Sequence, residues 1–159
     1  MTNRTAASIL AFMMALSTAA LAGPSQRDRL GLGLEAPLSL APFIPQLGLS
    51  GKYWLDTEHA VDASLFGSNN GLGLGADYLW HRFYIFSGEL GRIMPAHVGG
   101  GISAWTNNGL SGAAVQGKAG LSYFFKAPFD AFLEIVPQAR LYPNFGLQII
   151  FNGGIRFYI

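Results

Sequence analysis

Hydrophobic residues recur at every second position through much of this chain, and the stretch 146–159 shows the pattern most clearly. Its odd positions, Leu147, Ile149, Phe151, Gly153, Ile155, Phe157 and Ile159, are all non-polar. Its even positions, Gly146, Gln148, Asn152, Gly154, Arg156 and Tyr158, are small or carry polar atoms, with Ile150 the exception. Successive side chains of a β-strand point to opposite faces, so this segment has one apolar and one polar face. The same parity predicts seven further strands, at 29–35, 46–55, 60–66, 71–80, 94–105, 113–125 and 131–141. Segment 113–125 is the clearest of these, with Val115, Ala119, Leu121, Tyr123 and Phe125 set against Gln116, Lys118, Gly120 and Ser122. Pro37, Pro42 and Pro45 predict a loop over 36–45, because proline cannot donate to a ladder. Turn formers predict further loops at 67–70, 106–112 and 142–145, and turns at 56–59 and 126–130. The stretch 81–93 fits no pattern well enough to be assigned.

So long an apolar face, repeated strand after strand, needs something apolar to cover it. Strands of about ten residues can cross a bilayer at a tilt. Eight is a permitted strand number, and Tyr53, Tyr78, Trp80, Tyr123, Phe125 and Phe157 fall near strand ends, where an interfacial girdle sits. The pattern therefore predicts an all-β fold, an eight-stranded antiparallel up-and-down transmembrane β-barrel. If the first strand starts on the periplasmic side, loops 36–45, 67–70, 106–112 and 142–145 face outside. A soluble lipocalin-like barrel would carry its apolar residues inside, the reverse of what the charge pattern demands.

Composition narrows the reading. Half of the residues are hydrophobic while only 12% are charged, about half the ordinary charged fraction. The net charge of +1 offers no basic stripe for nucleic acid. Without cysteine there is no disulfide framework and no thiolate metal site. Residues 1–22 are expected to be a cleavable signal peptide: Arg4, an apolar run from Ala6 to Ala20, then the small-x-small triplet Ala20-Leu21-Ala22. The alternative is an uncleaved anchor, for which the run is shorter than the ~20 residues of a span. Residues 23–159 form the expected barrel domain.

Inward parity collects Glu35, Asp62, Asp77 and Glu134 with Lys52, Lys118, Arg140 and Arg156. An eight-stranded barrel is only wide enough for its own side chains. Four acids and four bases would thus share one narrow interior, and buried charges are tolerated when paired. This lumen charge network is expected to plug the barrel. Gly71-x-Gly73-x-Gly75 has the spacing of a phosphate loop but is followed by no helix pattern, so it reads as strand glycine. His59, His81 and His97 lack ligand spacing on one face, with His59 and His81 near strand ends and His97 inward. No metal, cofactor or catalytic residue is expected.

Several blocks give the chain a resemblance. Lys52-Tyr53-Trp54-Leu55 with Ala60-Val61-Asp62 comes first, followed by Asp77-Tyr78-Leu79-Trp80-His81. Gly120-Leu121-Ser122-Tyr123-Phe124-Phe125, Ala127-Pro128-Phe129-Asp130 and Phe132-Leu133-Glu134-Ile135-Val136-Pro137 form the strongest block, and Gly154-Ile155-Arg156-Phe157-Tyr158 closes the series. Their order resembles a family of small OmpA-like outer-membrane β-barrels of uncharacterised function, related to a spirochaetal outer-membrane protein. The resemblance implies the cell outer membrane of a Gram-negative bacterium, outer-membrane lipid as the surrounding partner, a monomer, and a structural or interaction role. The tail Asn152, Gly154, Phe157 and Ile159 resembles the signal by which barrel-assembly machinery accepts clients, with Ile159 where phenylalanine is usual. The alternative function is an outer-membrane lipid-modifying enzyme, an acyltransferase or deacylase. It would need a hydroxyl–His–carboxylate set at the membrane face, whereas Ser103 stands well up the strand from His97. Appending one charged residue after Ile159 should depress membrane assembly in a fractionation assay, and undiminished assembly would count against the signal.

Overall fold

A computed structural model of the protein describes residues 29–40, 43–68, 71–82, 94–107, 109–125 and 128–159. The expected signal peptide and most of the unassigned stretch 81–93 lie outside the described residues. Ten strands run in sequence order: β1 (Leu30–Glu35), β2 (Leu38–Leu40), β3 (Phe43–Pro45), β4 (Leu47–Trp54), β5 (His59–Ser68), β6 (Gly71–Arg82), β7 (Ala96–Asn107), β8 (Leu110–Phe124), β9 (Phe129–Tyr142) and β10 (Gly146–Tyr158). All pairings are antiparallel, and β1 pairs with both β4 and β10, closing the sheet on itself. Closure through β1 and β10 pairs both edges of the eight-stave wall, which removes most of the unpaired backbone groups that an open sheet exposes.

The ten strands make eight staves. The pairing of β2 with β10, Leu38 opposite Phe151, continues the register of β1 with β10, Glu35 opposite Gly154. The pairing of β2 with β3 likewise continues that of β1 with β4. The loop expected over 36–45 is therefore a hairpin that prolongs the barrel wall. Pro37 interrupts the ladder without shifting it: its carbonyl still accepts from Gln46 N at 2.9 Å, while it has no N–H to return. The loop expected over 106–112 shrinks in the same way, because Asn107 pairs with Leu110. Gly109 has φ +81°, a left-handed conformation that glycine adopts at no steric cost. These hairpins, with those after β5 and β9, gather at one end; the turn at 55–58, the step from β8 to β9 and the last residues of β10 gather at the other.

Alternation is strict enough to sort the side chains. Leu47, Leu72, Ile102, Leu133, Leu147 and Ile155 point outward, each more than half exposed. Glu35, Lys52, Asp62, Asp77, Lys118, Glu134 and Arg156 point inward and are buried. At the terminal end Tyr53, Tyr78 and Phe157 are exposed on the outer wall, and Tyr78 OH bonds His59 Nδ1 at 2.7 Å. Phe125 departs from the expected girdle: it lies past the end of β8, buried, stacked 4.3 Å from Phe129.

Space inside comes from pairing large with small across the ladder. Glu134 stands opposite Gly120, Arg156 opposite Gly33, Asp77 opposite Gly101 and Phe132 opposite Gly154. A Cβ on Gly120 would lie 2.8 Å from both Glu134 Cγ and His97 Nε2. Gly120→Val should therefore destabilise the barrel by about 1–3 kcal/mol, the usual cost of overpacking. Urea titration in detergent micelles checks this, and an unchanged midpoint would contradict it.

Candidate functional site

The lumen is stratified along the barrel axis, and each layer follows from which inward residues share a height. Nearest the hairpin end is a run of amides. Gln148 Nε2 donates to Gln138 Oε1, Gln138 Nε2 to Gln116 Oε1 (3.0 Å) and to Ser103 Oγ (2.6 Å), and Gln116 Nε2 to both oxygens of Asp77 (2.9 and 3.0 Å). Register explains the run, since Gln148, Gln138 and Gln116 are directly opposite one another on three adjacent strands. The amide donors all point the same way, toward a carboxylate.

The charges come next. Lys118 Nζ lies 2.7 Å from Asp62, 2.9 Å from Asp77 and 3.6 Å from Glu134. Arg156 Nη2 meets Asp62 at 3.1 Å and Glu134 at 3.9 Å, its Nε donates to Ser50 Oγ at 2.7 Å, and its guanidinium lies 3.7 Å over the Phe132 ring. Asn152 Nδ2 donates to Glu35 and to Glu134, both at 3.1 Å, holding two carboxylates apart. Lys52 is buried in the same region without an ion pair among the described residues. Its Nζ lies 2.8 Å from His81 Nε2 and 4.5 Å over the Trp54 ring. His81 lies beside His97, ring centroids 5.0 Å apart and planes tilted by 35°, and His97 Nε2 lies 3.1 Å from Glu134.

Below the histidines, toward the terminal end, the lumen is apolar. Trp54, Ala60, Leu79, Phe124 and Tyr158 form one buried cluster, and Tyr158 OH donates to Asp130 at 2.9 Å.

Seven of the eight charges expected inside are thus placed together. Arg140 is not. Its parity is inward, but it lies close to the mouth, immediately before a register shift that leaves Leu141 as the extra residue of a β-bulge between β8 and β9, and it is exposed. Bulges occur where a strand re-aims a side chain. The expected four-to-four balance also changes, because Asp130, read as part of a turn, is fully buried on β9. Five carboxylates then face three bases, and the side-chain hydrogen bonds to Glu35 and Asp130 come from neutral groups, Asn152 and Tyr158. His81 is not an interfacial ring at a strand end but a buried lumenal one. Of the tail residues, Asn152 is in the charge layer and Gly154 makes room for Phe132, whereas Phe157 and Ile159 are exposed.

A chain of this shape has a solved counterpart. The N-terminal β-barrel domain of OprF from Pseudomonas aeruginosa superposes with a TM-score of 0.61, covering 84% of this chain and 98% of that one, at 18% identity. The two share a fold. No family model and no curated relative matches this chain. An OmpA-like barrel was the expectation, and the OprF domain agrees with it at the level of architecture. The hydroxyl–His–carboxylate set that lipid chemistry would need at the membrane face is not built around His97, whose ring is buried in the lumen against Glu134.

Arg156→Met would leave buried carboxylates short of a partner and should cost about 3–5 kcal/mol. Arg140→Met, at the exposed mouth, should change stability by no more than about 0.5 kcal/mol. Parallel urea titrations check the contrast, and equal effects would place Arg140 back among the buried charges.

Proposed function

We propose that this protein is an integral outer-membrane β-barrel whose interior is closed by its own side chains, serving a structural or interaction role rather than catalysis. The single observation behind the reading is the inverted polarity of the fold. The wall that faces outward is leucine, isoleucine and valine, while lysine, arginine, aspartate and glutamate are buried within. A closed barrel satisfies its backbone hydrogen bonds internally, which is what a hydrocarbon surrounding requires. The exposed Tyr53, Tyr78 and Phe157 suit the boundary between acyl chains and headgroups at the terminal end.

Closure of the lumen rests on two stacked obstacles, the cross-linked charges and the Trp54–Phe124–Tyr158 floor beneath them. In this reading the terminal end faces the periplasm and the hairpin end faces out. Outer-membrane lipid is the surrounding partner, barrel-assembly machinery takes up the tail containing Asn152, Gly154, Phe157 and Ile159, and the barrel works as a monomer. The finer kinship with small OmpA-like barrels related to a spirochaetal outer-membrane protein rests on the order of the sequence blocks.

Two measurements test the proposal. After cell fractionation the protein should resist a salt wash and leave the membrane only with detergent. In planar bilayers the purified barrel should show no steady conductance, and disrupting the floor with Trp54→Ala and Phe124→Ala together should raise it. Release by salt alone would overturn the location, and steady conductance of the unaltered barrel would overturn the plug.

A further inference from the structure

Among the described residues the hairpin end of the lumen is not filled. A cup of about 200 Å³ opens there above the amide run, its walls including Ser39, Phe66, Trp105, Gln138, Arg140 and Gln148. We infer that this cup binds an anionic monosaccharide, a single pyranose ring carrying one carboxylate. The inference goes beyond the closed-barrel reading, since the cup lies on the hairpin side of the plug.

Ser39 provides the first ground. The residue is 8% exposed and borders the cup, and its Oγ has no hydrogen-bond partner among the described residues. A buried hydroxyl without a partner is costly to keep, and rotation about the Ser39 Cα–Cβ bond toward the cup would let a ligand hydroxyl satisfy it. Arg140 is the second. It is exposed at the rim and makes no ion pair within 4.0 Å among the described residues. Its guanidinium lies beside Gly146 of β10, with Nη2 2.6 Å and Nε 3.1 Å from where a Cβ on that glycine would sit. A planar guanidinium so held presents its fork to a carboxylate.

The walls supply the remainder. Phe66 stands opposite Gly73, and Gly73 opposite Trp105, which in turn stands opposite Gly112. Each ring lies over the neighbouring glycine, 2.2 Å from a Cβ position on Gly73 and 2.5 Å from one on Gly112. The Phe66 and Trp105 rings thus form part of the cup's wall. The floor is polar and oriented: Gln148 and Gln138 are fixed by the donor chain that ends on Asp77. Apolar walls with a few fixed polar groups are the usual make-up of a small-molecule site. A pyranose has an apolar face for the rings and hydroxyls for Ser39 and the amides, and a carboxylate on it would meet Arg140. The volume suits one such ring and no longer chain.

The test uses the mature barrel in detergent micelles and three probes: D-glucuronate, D-glucose and acetate. Titration calorimetry should give glucuronate an affinity at least about tenfold above glucose, one charge-assisted contact's worth, with acetate too weak to measure. Trp105 emission should change with glucuronate, and a Trp105→Phe variant should lose that change. Arg140→Gln should cut glucuronate binding about tenfold and leave glucose unaltered. Ser39→Ala should weaken both sugars. Far-UV circular dichroism and migration of unheated samples in gels report whether each variant keeps its barrel. No heat with glucuronate, equal affinity for acetate, or an Arg140→Gln variant that binds glucuronate as before would each overturn the inference while leaving the closed-barrel reading intact.

Discussion

Ionised groups held where little water can reach them are the constraint on which this barrel turns. Removing one such group from water costs several kcal/mol even after relaxation, so each must be met by charge or by hydrogen bonds. Two bases do most of this. Lys118 gathers Asp62, Asp77 and Glu134, and Arg156 shares Asp62 and Glu134 with it. The carboxylates beyond their reach take neutral donors, Asn152 for Glu35 and Tyr158 for Asp130. The glycines across the ladder from Glu134, Asp77 and Arg156 leave the width these side chains occupy.

The outer wall answers the opposite demand. A strand with an apolar outer face and a polar inner one must alternate without slipping, because a shift of one residue would turn every charge outward. That explains why register is kept even through Pro37, where a ladder bond is missing. Pro37 thus interrupts the stave without displacing the hairpin of β2 and β3 that follows it. The amide run, the charges, the paired histidines and the aromatic floor form successive layers, each supported by the cross-strand neighbours of the next.

Parity along the chain revealed the barrel, its strand number and the faces of seven charges, since alternation is a local property that a sequence carries openly. Height along the axis is another matter. Arg140 has inward parity, yet it sits at the mouth beside a bulge, and neither fact is local. Asp130 follows Pro128 and reads as a turn, but strand pairing starts at Phe129 and takes it inside. Tyr158 has the parity of the polar face of its strand, although its ring belongs to the apolar floor. At 106–112 the sequence Asn-Gly is a pair favoured in two-residue hairpin turns, and pairing of Asn107 with Leu110 leaves a loop that short. Barrel interiors near their ends accept aromatic rings as readily as polar groups, so the floor of Trp54, Leu79 and Phe124 left no compositional trace.

The separation in sequence of the lumen's partners has a consequence for how the molecule is made. Asn152 bonds Glu35 across 117 positions, and Arg156 reaches Ser50 and Asp62 across 106 and 94. Until the tenth strand arrives, the acids contributed by the first half of the chain have no guanidinium to meet, and the cylinder has an open seam. Contacts so distant form slowly, since a large loop must close before any of them is rewarded. Maturation should thus be abrupt and late, completed only when the final stave docks.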